Sequence, residues 1–69
     1  MSNSLKEARS AQGLTQVQLA AKSDVSVSII NQLERETRAD VKLSTMRRIA
    51  DALDKPVEEV FSSFFNKKF

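Results

Sequence analysis

The side chains best placed to do chemistry in this chain carry no charge. Val27, Ser28, Asn31 and Gln32 lie within one short segment, followed by Arg35. At about 100° per residue they fall on the side of a helix opposite Ile30 and Leu33. One side would then be buried and the other shown. An ordinary solvated helix face carries Glu and Lys; this one carries small polar groups that suit hydrogen bonding to base edges in a nucleic-acid groove. The Gln32 carboxamide accepts and donates at once, which matches N7 and N6 of adenine. Val27 suits contact with a thymine methyl. Ser28 is a short donor and acceptor for a base or a phosphate, and Asn31 sits at the edge of the face. The plainer alternatives are a solvated Gln and a scattered surface Val.

A second set of residues suits phosphate. Thr15 and Gln16 stand at a helix start, where free amides and the positive dipole end attract an oxyanion. Thr15 also serves as that helix's N-cap. Arg35, Arg38 and Lys42 can supply positive charge to a phosphate backbone, or be a solvated charged run. Arg47 and Arg48 read as solvent-facing.

Catalysis finds no support. The chain has no Cys and no His, so a Cys or His nucleophile, a His general base and a typical zinc site are excluded. Glu58 with Glu59, or Asp51 with Asp54, are paired carboxylates without a partner base; a solvated face and helix-start preference explain them. No enzyme, metal or cofactor is expected.

The elements that must position these residues follow from caps and periodicity. Ser4 with Glu7 predicts a capping box opening a first helix, in which Leu5 and Ala8 share a face and which Gly13 stops. Thr15 with Gln18 predicts a second box, with Leu14 packing back just before it and Leu19 and the small Ala20 facing inward. The turn is expected at Ala21 to Val25, with Asp24 in the left-handed region that Asp enters more cheaply than most residues. Ser26 is the predicted N-cap of the third helix, with Val25 packed beneath. A polar loop spans 36 to 42. A fourth helix is expected over about residues 44 to 54, capped by Asp40 or Ser44, with Met46, Ile49, Ala50 and Leu53 in helical period. Pro56 opens a fifth helix from its first turn, where Glu58 and Glu59 suit the dipole; Val57, Val60 and Phe61 complete the core. Leu14 to Arg35 thus reads as two short helices joined by a tight turn, the second with an apolar underside and a reading face: a helix-turn-helix layout.

Length and composition agree. Sixty-nine residues make one all-α domain over 1–69, with a core from 4 to 61 and a Phe-rich tail at 62–69. One Gly, one Pro and few β-branched runs argue against strands. There is no apolar stretch of membrane-spanning length and no signal-peptide pattern, so a cytoplasmic location is expected. The formal net charge is only +2, but it is polarised. Arg35, Arg38, Lys42, Arg47 and Arg48 crowd the middle, and Asp51, Asp54, Glu58 and Glu59 follow.

Four pieces resemble the Xre/Cro-type helix-turn-helix family, which includes the lambdoid phage repressors: LTQVQLA (14–20), VSVSIINQLER (25–35), LSTMRRIADAL (43–53) and KPVEEVF (55–61). Their order and spacing together are specific, and they cover about residues 5 to 61. The resemblance implies a compact five-helix bundle, the lambda-repressor-like fold. It further implies that Gln16 clamps a DNA phosphate, that Val27, Ser28 and Gln32 read bases, and that Arg35 contacts the backbone. Arg9 and Glu34 match a pair that forms a partly buried salt bridge in several members. The chain departs from the family at Asp24 and Glu36, where Gly is usual. It departs again at Val41 and Lys42, where Pro-Ser commonly opens the fourth helix.

The function expected from this resemblance is a sequence-specific DNA-binding transcriptional regulator, a repressor, from a bacterium or its phage. All the aromatic side chains are Phe61, Phe64, Phe65 and Phe69. Phe64 and Phe65 exceed what so small a core needs, and exposed aromatics mark interfaces. Because family members often dimerise through the fifth helix or the segment after it, a homodimer through Phe64 and Phe65 is expected, on a near-palindromic site. The alternative for Phe64 is folding back over the fourth helix. DVKLSTMRRIADAL (40–53) is similar to the antitoxin branch of the family; on that reading a toxin protein is the second partner, held by the C-terminal segment. A protein-interaction module without DNA binding is disfavoured by Gln16 and Gln32. No small-molecule substrate or effector is implied.

Overall fold

A computed structural model describes residues 3–38 and 40–62 of the chain. It is built from α1 (Ser4–Ala11), α2 (Gln16–Ser23), α3 (Val27–Glu34), α4 (Leu43–Ala52) and α5 (Val57–Val60), with no strand among the described residues. The fold is all-α, as the pattern of apolar residues requires.

The start of α1 differs from expectation. Asn3, not Ser4, is the N-cap: its Oδ1 accepts from the Lys6 amide at 2.9 Å. Ser4 is the first helical residue, and its hydroxyl donates to the Val60 carbonyl at 2.7 Å. Two good capping residues stand side by side here, and a partner fifty-six residues away decides between them. Asn3 is buried, and its Nδ2 donates to the Leu33 carbonyl at 2.9 Å, so one side chain caps α1 and satisfies a last-turn carbonyl of α3. After α1, Gly13 takes φ +68°. The amide of Leu14 then reaches the Arg9 carbonyl at 3.2 Å, and Leu14 packs on the core.

The capping box of α2 forms as expected. The Gln18 amide donates to Thr15 Oγ1 at 3.0 Å, and the Thr15 amide donates to Gln18 Oε1 at 2.8 Å. The turn after it is shorter than the sequence suggests. α2 continues through Ser23, whose hydroxyl donates back to the Leu19 carbonyl at 2.7 Å and so needs no outside partner. Asp24 alone takes the left-handed conformation, at φ 57° and ψ 38°. Val25 is buried and Ser26 caps α3 by accepting from the Ile29 amide at 3.2 Å.

The second half begins differently. Glu36 also takes positive φ, 58°, and the Thr37 amide closes back on the Gln32 carbonyl at 3.0 Å. α4 starts at Leu43, one residue earlier than predicted, and ends at Ala52, two residues short. Neither Asp40 nor Ser44 caps it: Lys42 holds the N-cap position and makes no side-chain cap bond. Val41 packs against the core and fixes where the chain enters the helix, which overrides the better capping chemistry on either side. Asp54 supplies the third left-handed non-Gly residue, at φ 56°. Pro56 is the N-cap of α5 rather than its first helical residue.

The core joins all five helices. Leu5, Leu19, Ile30, Leu33, Ile49, Leu53, Val60 and Phe61 are fully buried. Each buried side chain of this size contributes roughly 1.5–3 kcal/mol of transfer free energy. α2 packs on α3 and α4, α4 on α5, and α1 on α3 and α5. In this arrangement α3 is held from below by its apolar side while its other side stays open.

Candidate nucleic-acid interface

α3 divides as its period demands. Ile30 and Leu33 are fully buried, and opposite them Val27 is 40% exposed, Ser28 and Arg35 are exposed, and Asn31 and Gln32 are half-buried. The expected reading residues therefore share one accessible face.

The face rests on a buried ion pair. Arg9 Nη2 donates to Glu34 Oε1 at 2.9 Å, and its Nε donates to Oε2, a two-pronged pair between α1 and the last residue of α3. The Glu34 side chain is only 3% exposed. Arg9 Nη1 donates to the Leu14 carbonyl at 2.7 Å, tying in the segment that leads to α2. The hydrogen bonds that Arg9 donates to Glu34, helped by the carboxylate charge, raise the Arg9 guanidinium pKa above its ordinary value and outweigh burial, which lowers it. A raised cationic pKa stabilises the fold at every pH below the ordinary value. That contribution is lost only in strongly alkaline solution.

Gln16 joins the same network. Its Nε2 donates to Glu34 Oε1 at 3.1 Å, and its Oε1 accepts from Asn31 Nδ2 at 3.2 Å. The chain of bonds thus runs Arg9, Glu34, Gln16, Asn31, from the buried pair out to the accessible face of α3. At the other edge, Arg38 Nε donates to Gln32 Oε1 at 2.8 Å, and Arg38 Nη1 lies 3.7 Å from Asp40 Oδ1. Neither link was legible in the sequence. Their partners are 15 and 6 residues apart and belong to no local helical spacing.

At the start of α2 the capping box occupies the amides of Thr15 and Gln18. The amides of Gln16 and Val17 have no acceptor among the described residues, and they stand at the positive end of the helix dipole. Arg35 and Lys42 are exposed at the end of α3 and the start of α4. Arg48 is exposed as well, 3.9 Å from an open Asp24 carboxylate, a pairing of little energetic weight. Phe64 and Phe65 lie outside the described residues.

The described residues hold no cluster of His, Cys, Asp or Glu suited to a metal ion. No described helix is long and apolar enough to cross a membrane. What the site offers is a capped helix with an uncharged face of hydrogen-bonding groups, beside a helix start with two amides that have no acceptor among the described residues and with flanking cations. Two short helices joined through a left-handed residue, the second presenting such a face, define a helix-turn-helix DNA-binding domain. The family model described as HTH_3, helix-turn-helix, matches residues 5–60. The chain belongs to this family, the Xre/lambda-repressor-like helix-turn-helix proteins, and is a DNA-binding transcription regulator acting on double-stranded DNA. No curated protein and no solved structure matches it.

Proposed function

We propose that the chain is a sequence-specific repressor that binds a near-palindromic operator as a homodimer. On this reading Val27, Ser28, Asn31 and Gln32 meet base edges, and Thr15, Gln16, Arg35 and Lys42 meet the backbone; Arg38, expected to join them, instead holds Gln32 and lies beside Asp40. The observation that carries it is the open, uncharged face of α3, braced from beneath by the Arg9–Glu34 pair. Phosphate contacts set orientation, and such a face supplies the sequence information. Two recognition helices in a dimer would sit ~34 Å apart, one DNA turn. The site of action is the cytoplasm, in one domain over residues 1–69.

Fluorescence anisotropy tests it, with DNA from upstream of the chain's own gene against shuffled DNA at low and moderate salt. A preference for the upstream DNA that survives the added salt supports the reading. Equal, weak, salt-sensitive binding to both counts against it. For the dimer, Phe64→Ser with Phe65→Ser is expected to sediment as a monomer; a persisting dimer moves the interface elsewhere.

A second reading is an antitoxin that keeps the same DNA contacts and holds a toxin protein through its C-terminal segment. The exposed Leu43, half of whose surface is open at the start of α4, favours a protein contact at α4, within the segment 40–53 that carries the likeness to antitoxins. A co-purifying partner encoded next to the gene separates the two.

A further inference from the structure

Arg38 has five N–H donors and no acceptor, so the end of the Gln32 carboxamide that meets it must be oxygen. The contact is 2.8 Å long. The Gln32 amide nitrogen, with two hydrogens, then has no partner among the described residues. The same elimination runs through α2. The Glu34 carboxylate only accepts, so the end of Gln16 facing it is nitrogen, and the oxygen of Gln16 faces the amide nitrogen of Asn31. The Asn31 side-chain oxygen has no partner among the described residues. One arginine and one carboxylate thus orient two adjacent carboxamides in opposite senses.

We propose that Arg38 is a specificity-determining residue: by holding the Gln32 oxygen it makes Gln32 a donor, so the base Gln32 selects is guanine rather than adenine. This rests on the reading of the chain as a sequence-specific DNA binder. A free carboxamide would match adenine by accepting from N6 and donating to N7. With its oxygen engaged, Gln32 offers two hydrogens. Guanine presents two acceptors, O6 and N7, whereas adenine sets its N6 donor against the amide nitrogen. Cytosine offers a donor, and thymine a single acceptor beside its methyl group. Arg38 is turned toward the protein for this role: its side chain is 33% exposed, and its second neighbour is Asp40.

The test is selection from a randomised duplex library with the full chain, followed by binding to the selected sites. Gln32→Ala identifies the operator position that Gln32 reads. The wild type is expected to select guanine there. Arg38→Met is expected to lose that preference over adenine by roughly tenfold while other positions stay as they were. Arg38→Lys, which keeps a donor, is expected to retain guanine, and circular dichroism checks that each variant is folded. Adenine selected by the wild type overturns the proposal and leaves sequence-specific binding standing. It is also overturned if Arg38→Met weakens every sequence alike and lowers the salt slope by about one charge, the mark of a phosphate contact. A Gln32→Ala variant with the wild-type profile overturns it too. If the wild type selects no sequence, the repressor reading fails and the proposal fails with it.

Discussion

The chain divides near residue 36 into two halves held in different ways. Each helix of the first half starts on a side-chain cap: Asn3 for α1, Thr15 for α2, Ser26 for α3. The helices of the second half start on Lys42 and Pro56, and neither makes a side-chain cap bond. The first half also contains the buried ion pair, whereas the ion pairs within the second half among the described residues, Arg38 with Asp40 at 3.7 Å and Lys55 with Glu59 at 3.3 Å, each have a carboxylate open to solvent. Local hydrogen bonds fix where α2 and α3 begin, and that register decides which side chains face outward. α4 and α5 are placed by burial instead, through Ile49, Leu53, Val60 and Phe61, and they carry no proposed base reader. The half that must present atoms to within a fraction of an ångström is the half with directional bonds.

The largest test of this contrast is Glu34→Ala. It leaves the Arg9 guanidinium largely buried without its carboxylate and releases Gln16. Breaking one partner of such a pair costs about 3–5 kcal/mol. The whole stability of a chain this length is roughly 3–10 kcal/mol by per-residue scaling, so the variant is expected to be mostly unfolded near 37 °C in thermal denaturation. Replacing both partners, Arg9→Met with Glu34→Met, is expected to restore most of the stability, since apolar residues of similar volume often replace a buried pair at little cost. The double variant would still lose its hold on Gln16, so its DNA affinity is expected to stay low. A double variant that binds normally would mean that the network does not orient the reading face.

A smaller break is Thr15→Ala. It removes the hydroxyl from the capping box, and a loss of about 1 kcal/mol is expected from urea denaturation. An unchanged midpoint would show that α2, like α4, is placed by packing alone.

The same division marks what the sequence could disclose. Where capping is local, at Thr15 with Gln18, at Ser26, and at the left-handed Asp24, residue types and spacing are enough, because both partners lie within three or four positions. The expectation failed at Ser4, where Asn3 competes and the Val60 carbonyl arbitrates from the far end of the chain. It failed again at α4, where Val41 packing overrides Asp40 and Ser44. The period of α3 predicted which side chains lie opposite Ile30 and Leu33, and the structure leaves those side chains accessible. The links from Gln16 to Asn31 and from Arg38 to Gln32 join residues with no helical relation, so only the fold could bring them together.

The smallest effect sharpens the comparison by giving the second half what it lacks. Lys42→Ser places a good N-cap where α4 has none. The expected gain is about 0.5–1 kcal/mol, which raises Tm by several degrees in a chain of this size. The same change removes a cation assigned to the phosphate backbone, so binding is expected to weaken alike for all sequences and to lose about one unit of salt slope. If stability rises as affinity falls, Lys42 occupies its position for charge at the expense of the helix start. If stability does not rise, Val41 and the core already hold the first turn of α4 as firmly as a cap could. If affinity does not fall, Lys42 is a solvated charge, and the phosphate contacts lie with the capped half of the molecule, at Gln16 and Arg35.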